Sequence, residues 1–239
     1  MNADNQTLAT LPTIDWQLVT NQLDQAGHAV IEGLLTPKSC DALAASYEEP
    51  TRFRSKVIMA RHGFGRGEYQ YFAYPLPSPI QSLRQTLYQP LAVIANQWHE
   101  RLGIDIRYPE NHQAFLEQCH EAGQTKPTPL MLRYGPGDYN CLHQDLYGAL
   151  AFPLQVVVLL SAPDRDFDGG ELVLTEQRPR MQSRPMVISL RQGDAAVIPV
   201  NERPVRGTRG DYRVKLRHGV SLIKSGNRHT LGLIFHDAQ

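Results

Sequence analysis

The segment YNCLHQDLYG, residues 139–148, places a histidine and an aspartate two positions apart. Residues i and i+2 of a β-strand project from the same face, so we expect His143 and Asp145 to converge. One imidazole and one carboxylate are two of the three protein ligands in a 2-His-1-carboxylate iron site. The segment therefore predicts a metal site whose second histidine comes from a distant strand.

The chain around this segment has the pattern of an antiparallel β protein. From Lys126 onwards, short apolar runs alternate with the turn signals GPGD, DFDGG, RQGD and KSGN. The runs are PLMLRYG, LQVVVLLSA, GELVLTE, PMVISLR, AAVIPV, YRVKLRHGVSLI and HTLGLIFHD. Such a series of short strands predicts a β-sandwich or a β-barrel.

The preceding part of the chain has a helical and mixed pattern. Apolar residues recur at helical spacing in 15–27, 36–49, 78–104 and 111–124. A helix end is predicted at Gly27, and Thr36 followed by Pro37 predicts a helix start. Pro90 is expected to break or kink the longest helix.

These patterns together predict an α+β fold. Residues 1–125 would form an N-terminal support region, a helical layer, and residues 126–239 an antiparallel β core, both within one compact domain. The 239 residues are 41% hydrophobic and 20% charged, which suits a packed globular core.

Composition also excludes several classes of protein. No apolar run approaches the ~20 residues that span a bilayer, and the polar N-terminus does not resemble a signal peptide. The three cysteines are scattered, which argues against a disulfide framework. We therefore expect a cytoplasmic protein without membrane contact, in which Cys141 is a small buried thiol. Nothing in the sequence indicates an oligomeric state.

The net charge is zero, but the charge is unevenly distributed. Residues 178–228 contain twelve lysines and arginines against three acidic residues, a local balance of +9, so the remainder carries −9. This asymmetry suggests a basic surface that faces an anionic partner such as nucleic acid. Alternatively, arginines on outward faces of strands keep the sheet edges soluble.

The second histidine is predicted to be His218, within VKLRHGVS. Leu216 and Val220 would share its strand face, which indicates that the face points inward. His229 and His236 are the rival candidates on the last strand.

Four segments together resemble the iron(II)- and 2-oxoglutarate-dependent dioxygenases, whose core is a double-stranded β-helix, or jelly roll. The segments are YGPGDYNCLHQD, FDGGELVL, RQGDAAVI and LRHGVSLIKSGNRHT. The resemblance implies Fe(II), 2-oxoglutarate and O2 as cofactor and co-substrates, with ascorbate as a stimulant. It assigns His143, Asp145 and His218 to iron, and Arg228, Thr230 and Tyr134 to the distal carboxylate of 2-oxoglutarate.

Longer stretches of the same motifs, RYGPGDYNCLHQDLYG and GGELVLTEQRPRMQSR among them, are similar to a bacterial subfamily of nucleic-acid repair oxygenases. Its members are grouped with the AlkB-type demethylases. The similarity implies oxidative demethylation of alkylated DNA or RNA, with the hydroxylated methyl group lost as formaldehyde. Alternatives are a prolyl-type protein hydroxylase, a small-molecule hydroxylase, a zinc hydrolase and a barrel that only binds a ligand.

Two segments predict contacts with the substrate. Residues 51–77 interleave basic and aromatic side chains, including Arg61, Phe64 and Arg66, and residues 176–184 add three arginines. Such interleaving suits phosphate contacts and base stacking. The alternative is that the aromatics are core residues and the arginines are solvated. The predicted contact residues are Arg52, Arg54, Tyr69, Tyr71, Arg178, Arg180 and Arg184.

Overall fold

The computed structural model describes residues 12–146 and 148–239. The α-helices are α1 Trp16–Ala26, α2 Pro37–Ala45, α3 Ser78–Arg101 and α4 His112–Glu121. The first strands are β1 Ala29–Ile31, β2 Phe53–Ile58, β3 Gly65–Arg66, β4 Glu68–Phe72, β5 Leu130–Tyr134, β6 Tyr139–His143, β7 Leu154–Leu159 and β8 Phe167–Gly169. The remaining strands are β9 Leu172–Gln177, β10 Arg184–Ile188, β11 Ala195–Pro199, β12 Glu202–Gly207, β13 Gly210–Val220, β14 Ile223–Gly226 and β15 Arg228–Leu233.

The strands form two main antiparallel sheets. The major sheet has the order β1-β11-β7-β15-β5-β4-β2, and the minor sheet has the order β10-β9-β13-β6-β3, with β12 paired to β13. Strands β8 and β14 form a two-stranded ribbon. The fold class predicted from the sequence, a jelly-roll core with α-helices, is confirmed.

Strand β11 shows how two apolar cores share one sheet. Every residue of this strand is buried, because one face packs towards the helices and the other towards the minor sheet. Val197 belongs to a cluster with the buried side of α3. Ile198 belongs to a second cluster with Leu174 and Leu216 from the minor sheet. This second cluster lies between the sheets, so the space inside the barrel is mainly apolar.

The local signals for helix ends are confirmed. α1 ends at Gly27, whose φ of 77° is left-handed and suits glycine. The side chain of Thr36 accepts a hydrogen bond from the Ser39 backbone N–H, and Pro37 is the first residue of α2. These contacts satisfy backbone groups that a helix end leaves without partners.

The break predicted at Pro90 is absent, because α3 continues through this residue from Ser78 to Arg101, and the alternative of a kink stays a prediction. A proline inside a helix costs about 3 kcal/mol through a lost hydrogen bond and a steric clash. Leu87 and Leu91, on either side of Pro90, are completely buried in the core beneath the major sheet. Packing of this apolar face offsets the local cost and keeps the helix continuous.

Strands from the first 125 residues join both main sheets. β1 pairs with β11, β4 pairs with β5, and β3 pairs with β6. The helical and mixed pattern predicted for this part of the chain did not locate β2, β3 and β4. Strands from both sides of residue 125 are hydrogen-bonded within the same sheets. The division of the chain into a support region and a β core at this residue stays a prediction.

The described residues contain no helix that is long and apolar enough to cross a membrane. The three cysteines are free thiols. Cys40 and Cys119 are buried, whereas Cys141 is exposed on β6. The prediction of a buried thiol at Cys141 is therefore wrong, because β6 lies at the surface, where Tyr139 and Leu142 are exposed as well.

A buried ion pair attaches α3 to the C-terminal segment. The guanidinium of Arg84 lies 2.8 Å from the Asp237 carboxylate, and both side chains are fully buried. Arg84 also donates to the carbonyl oxygens of Ile234, at 2.9 Å, and His236, at 3.0 Å. These hydrogen bonds satisfy a charge that would otherwise be costly to bury.

Replacement of Asp237 by Asn should lower the free energy of unfolding by about 3 kcal/mol, because it leaves the buried Arg84 cation without a counter-charge. Urea unfolding followed by circular dichroism measures the loss. The control is Glu49→Gln, which removes the exposed Arg52–Glu49 pair and should cost below about 1 kcal/mol. Equal losses in the two variants would contradict this role of Asp237.

Candidate metal and co-substrate site

Two neighbouring strands of the minor sheet bring His143 and His218 together. His143 is the last residue of β6 and lies directly opposite His218 on β13. Asp145 lies two residues beyond the end of β6. A loop, and not a shared strand face, therefore carries its carboxylate to the two imidazoles.

The three side chains form a compact cluster. One potential ligand atom from each residue lies within 4.8 Å of the other two. The Asp145 carboxylate oxygens lie 3.4 Å from His143 Nε2 and 3.2 Å from His218 Nε2. Two imidazoles and a carboxylate within this distance match the donor set of a 2-His-1-carboxylate iron site.

The rival histidines lie outside this cluster. The His236 imidazole is fully buried, and its Nδ1 accepts a hydrogen bond from the Phe152 backbone N–H at 3.1 Å. The His229 imidazole packs edge-on against the Tyr47 ring at 5.7 Å. Of the three candidates for the distal position, only His218 is in the cluster.

Hydrogen bonding and charge prepare the cluster to bind a cation. The Nδ1 atom of His143 donates to the Cys141 carbonyl at 2.8 Å, which directs Nε2 towards Asp145. Burial alone would lower the pKa of His143, but its hydrogen bond with Asp145 and the carboxylate charge outweigh burial and raise the pKa. Burial would raise the pKa of Asp145, yet His218 and His143 hold it well below its usual range.

Gln144, between the two ligand candidates, fixes the loop to the minor sheet. Its Nε2 donates to Asn201 Oδ1 at 2.6 Å and to the Leu216 carbonyl at 2.8 Å. Leu216 lies two residues before His218 on β13, so this side chain ties the Asp145 loop to the strand that carries the distal histidine. Sequence reasoning missed this role, which no local pattern signals.

The cluster lines one wall of a cavity of about 200 Å³ inside the barrel, and Arg228 lines another part of it. The Arg228 side chain is 2% exposed, and its Nε and Nη1 atoms have no hydrogen-bond partner among the described residues. Burial lowers the pKa of Arg228 to about 10, so the guanidinium remains charged at neutral pH. A buried cation without a counter-ion fits a site for an anionic ligand.

Tyr134 and Thr230 lie beside this guanidinium in the same cavity. Tyr134 is the register partner of Arg228 across β5 and β15, and its ring centroid lies 5.8 Å from the guanidinium carbon. Burial raises the pKa of Tyr134, so its hydroxyl stays protonated at neutral pH and can donate a hydrogen bond. Thr230 lies two residues after Arg228 on β15, on the same face.

Other polar residues of the cavity were not predicted from the sequence. Gln155 is 3% exposed on β7, and its Nε2 atom has no hydrogen-bond partner among the described residues. The sequence carries a signal for it, since Gln155 is the only polar residue in the apolar run LQVVVLL. Asn140 also lines the cavity, as does Phe64 from the first of the two segments predicted to contact substrate.

The predicted substrate residues of the first segment are mostly engaged elsewhere. The Arg52 guanidinium pairs with Glu49 at 2.6 Å. Arg54 lies 4.5 Å from the centre of the Tyr71 ring and donates to the Pro127 carbonyl at 3.0 Å. Tyr69 lines the cavity, with the Tyr71 ring edge-on against it at 5.4 Å.

Two of the three arginines of the second segment pair with a buried carboxylate. Arg178 and Arg184 lie 2.8 Å and 3.4 Å from Glu176, which also pairs with the buried Arg203 at 2.5 Å. Arg180 lies in the turn between β9 and β10 with a left-handed φ of 61°. None of these three arginines lines the described cavity wall, so contact with substrate stays a prediction for them.

Solved structures with similar folds include a prolyl-4-hydroxylase and a 2OG-Fe(II) oxygenase family oxidoreductase. A prolyl-4-hydroxylase of Pseudomonas putida matches with a TM-score of 0.56 and 14% identity, over 94% of this chain and 99% of that one. A 2OG-Fe(II) oxygenase family oxidoreductase from Burkholderia pseudomallei matches with a TM-score of 0.52 and 15% identity, over 96% of each chain. At these identities the likeness shows the fold.

Sequence comparison identifies the family. Two uncharacterized proteins of Mycobacterium tuberculosis, from strains CDC 1551 / Oshkosh and ATCC 25618 / H37Rv, are each 51% identical over 167 residues, covering 70% of this chain and 72% of the relative. The sequence model of the Oxygenase-NA family, described as an oxygenase catalysing oxidative methylation of damaged DNA, matches residues 67–238. The chain therefore belongs to the Oxygenase-NA family, within the iron(II)- and 2-oxoglutarate-dependent dioxygenase superfamily, as its motifs predicted.

Proposed function

We propose that this oxygenase uses Fe(II), 2-oxoglutarate and O2 to demethylate alkylated DNA or RNA. The observation that carries the proposal is a His-Asp-His cluster in the same cavity as a buried arginine that has free donor atoms. The description of the family supports damaged DNA as the substrate. Oxidation of an N-methyl group gives a hydroxymethyl group, which leaves as formaldehyde.

His143, Asp145 and His218 would hold the iron. Three protein ligands on one side of the ion leave adjacent coordination positions open, as non-haem iron oxygenases require. When bound, the iron with 2-oxoglutarate and O2 supplies the oxidation of a substrate C–H bond, while the co-substrate becomes succinate and carbon dioxide. The hydrogen bond from His143 to Cys141 and the contacts of Gln144 keep the ligands in place.

Arg228 would bind the distal carboxylate of 2-oxoglutarate. Its planar guanidinium can donate two parallel hydrogen bonds to one carboxylate, a geometry that lysine does not reproduce. The hydroxyl groups of Tyr134 and Thr230 would complete the partners of that carboxylate. Together these residues would satisfy both charges of the buried pair.

The cellular location proposed for this activity is the cytoplasm. The three cysteines are free thiols, which is typical of proteins in a reducing compartment. A cytoplasmic enzyme also has direct access to DNA, RNA and 2-oxoglutarate.

Replacement of His143, Asp145 or His218 by Ala should reduce metal binding from about one ion per chain to none, because two ligands hold a cation weakly. Mn(II) binding by isothermal titration calorimetry tests this without turnover. Wild-type affinity should fall as the pH drops towards 6, because protons compete for His143, whose pKa is raised. His229→Gln is the control and should bind Mn(II) as the wild type does. Loss of Mn(II) binding in this control would indicate that His229 is a metal ligand.

Arg228→Gln should raise the KM for 2-oxoglutarate by about 100-fold or more, since it removes a buried charge-assisted pair. Arg228→Lys should give a smaller rise, because it keeps the charge and loses the bidentate geometry. The control is Arg217→Gln, on the exposed face of β13. An unchanged KM in a folded Arg228→Gln protein would refute the assignment.

Succinate and formaldehyde should appear together when the protein turns over with Fe(II), ascorbate, air and N-methylated single-stranded DNA or RNA. The matched control is the unmethylated oligonucleotide, which should stimulate neither product. If proline-containing peptides stimulate succinate formation instead, the substrate is a protein rather than a nucleic acid. No succinate from folded, iron-loaded protein would overturn the proposed activity.

A further inference from the structure

The segment 59–67, between β2 and β4 and containing β3, lies at the edge of the cavity. We call it the 59–67 loop. Its residue Phe64 lines the cavity together with His143, yet 47% of this side chain is exposed. The loop therefore presents an aromatic ring both to the candidate metal site and to solvent.

The loop is held firmly against the strand that carries His143. Gly65 and Arg66 pair with Asn140 and Tyr139 of β6, and the Phe64 carbonyl accepts a hydrogen bond from the Cys141 N–H at 2.9 Å. Gly65 has a φ of 123°, and a Cβ there would lie 2.4 Å from the Tyr139 carbonyl oxygen. Only glycine permits this close approach, so the position of Phe64 is fixed in advance of binding.

Phe64 forms half of an exposed aromatic pair. The His62 and Phe64 rings are stacked, with centroids 5.3 Å apart and an interplanar angle of 23°. Both residues are exposed. Strand β6, with which the loop pairs, also carries exposed apolar side chains, since Tyr139 is 38% and Leu142 45% exposed. An exposed apolar patch beside a catalytic cavity is typical of a binding surface.

Two cations on the loop are available for a partner. Arg61 and Arg66 are exposed, and neither forms a salt bridge within residues 12–146 and 148–239. The loop sequence MARHGFGRG contains no acidic residue. This contrasts with Arg52, which pairs with Glu49, and with Arg178, which pairs with Glu176.

We propose that the 59–67 loop is the docking platform for single-stranded nucleic acid. A base next to the target nucleotide would stack on the Phe64–His62 pair, and Arg61 and Arg66 would contact the flanking phosphates. Unpaired nucleotides bind where a base can stack on an aromatic ring and where neighbouring guanidinium groups without internal partners can contact the phosphates. The inference rests on the proposed function and names the surface through which its substrate would reach the cavity.

The test measures binding of a labelled single-stranded 12-mer by fluorescence anisotropy at several salt concentrations. Phe64→Ala should weaken binding about 10-fold, in the range for loss of one stacked base, and Phe64→Trp should restore it. Arg61→Gln and Arg66→Gln should each lower the slope of log K against log salt by about one. Arg165→Gln is the charge-matched control, since this exposed arginine pairs with Asp166, and it should change neither the affinity nor the slope.

The outcomes separate this inference from the proposed function. If methylated oligonucleotides stimulate wild-type turnover and Phe64→Ala binds the 12-mer as the wild type does, the docking platform is overturned and the proposed function stands. If the wild type neither binds the 12-mer nor responds to any methylated oligonucleotide, both are overturned. If peptides stimulate turnover of the wild type but not of Phe64→Ala, the surface binds a protein partner. That result would also overturn the proposal. Urea unfolding of each variant confirms that the fold is intact.

Discussion

The antiparallel pairing of β6 with β13 is the constraint on which the site depends. It sets His143 opposite His218 and starts the loop that returns Asp145 to both imidazoles. A slip of one residue would turn the distal histidine to the other face of the sheet. The apolar core between the sheets opposes such a slip, because it would expose Leu216 and bury Arg217. Packing of ordinary leucines and valines therefore protects the geometry of the metal cluster.

Three buried arginines show how environment separates structure from function. Arg84 is paired with Asp237, and Arg203 is paired with Glu176, so each charge is compensated within the fold. Arg228 is equally buried but faces a cavity with donor atoms that have no partner among the described residues. An uncompensated buried charge costs several kcal/mol. A ligand with a carboxylate would supply the partner that the Arg228 charge lacks. Such a ligand would explain why this arginine is buried beside a cluster of metal-binding side chains.

The same reasoning applies to the surface. Basic and aromatic residues alternate through residues 51–77, so composition alone gives all the cations of that segment equal weight. The fold distinguishes them: Arg54 lies over the Tyr71 ring and bonds the Pro127 carbonyl, whereas Arg61 and Arg66 project from a loop attached to β6. Proximity to the cavity and freedom from internal partners, rather than charge, identify the residues that can meet a substrate.

The sequence by itself determined the class of the protein and predicted that His143 and Asp145 lie together. The H-x-D motif and an arginine followed two residues later by threonine are local signals, because residues two apart in the chain stay close together whether a strand or a loop carries them. Only the tertiary structure decided which of three histidines joins the cluster, how strands before residue 126 complete both sheets, and which arginines lack partners. These features depend on contacts such as Arg84–Asp237, 153 residues apart. Local periodicity carries no information about such contacts, because packing and charge compensation are properties of the folded chain.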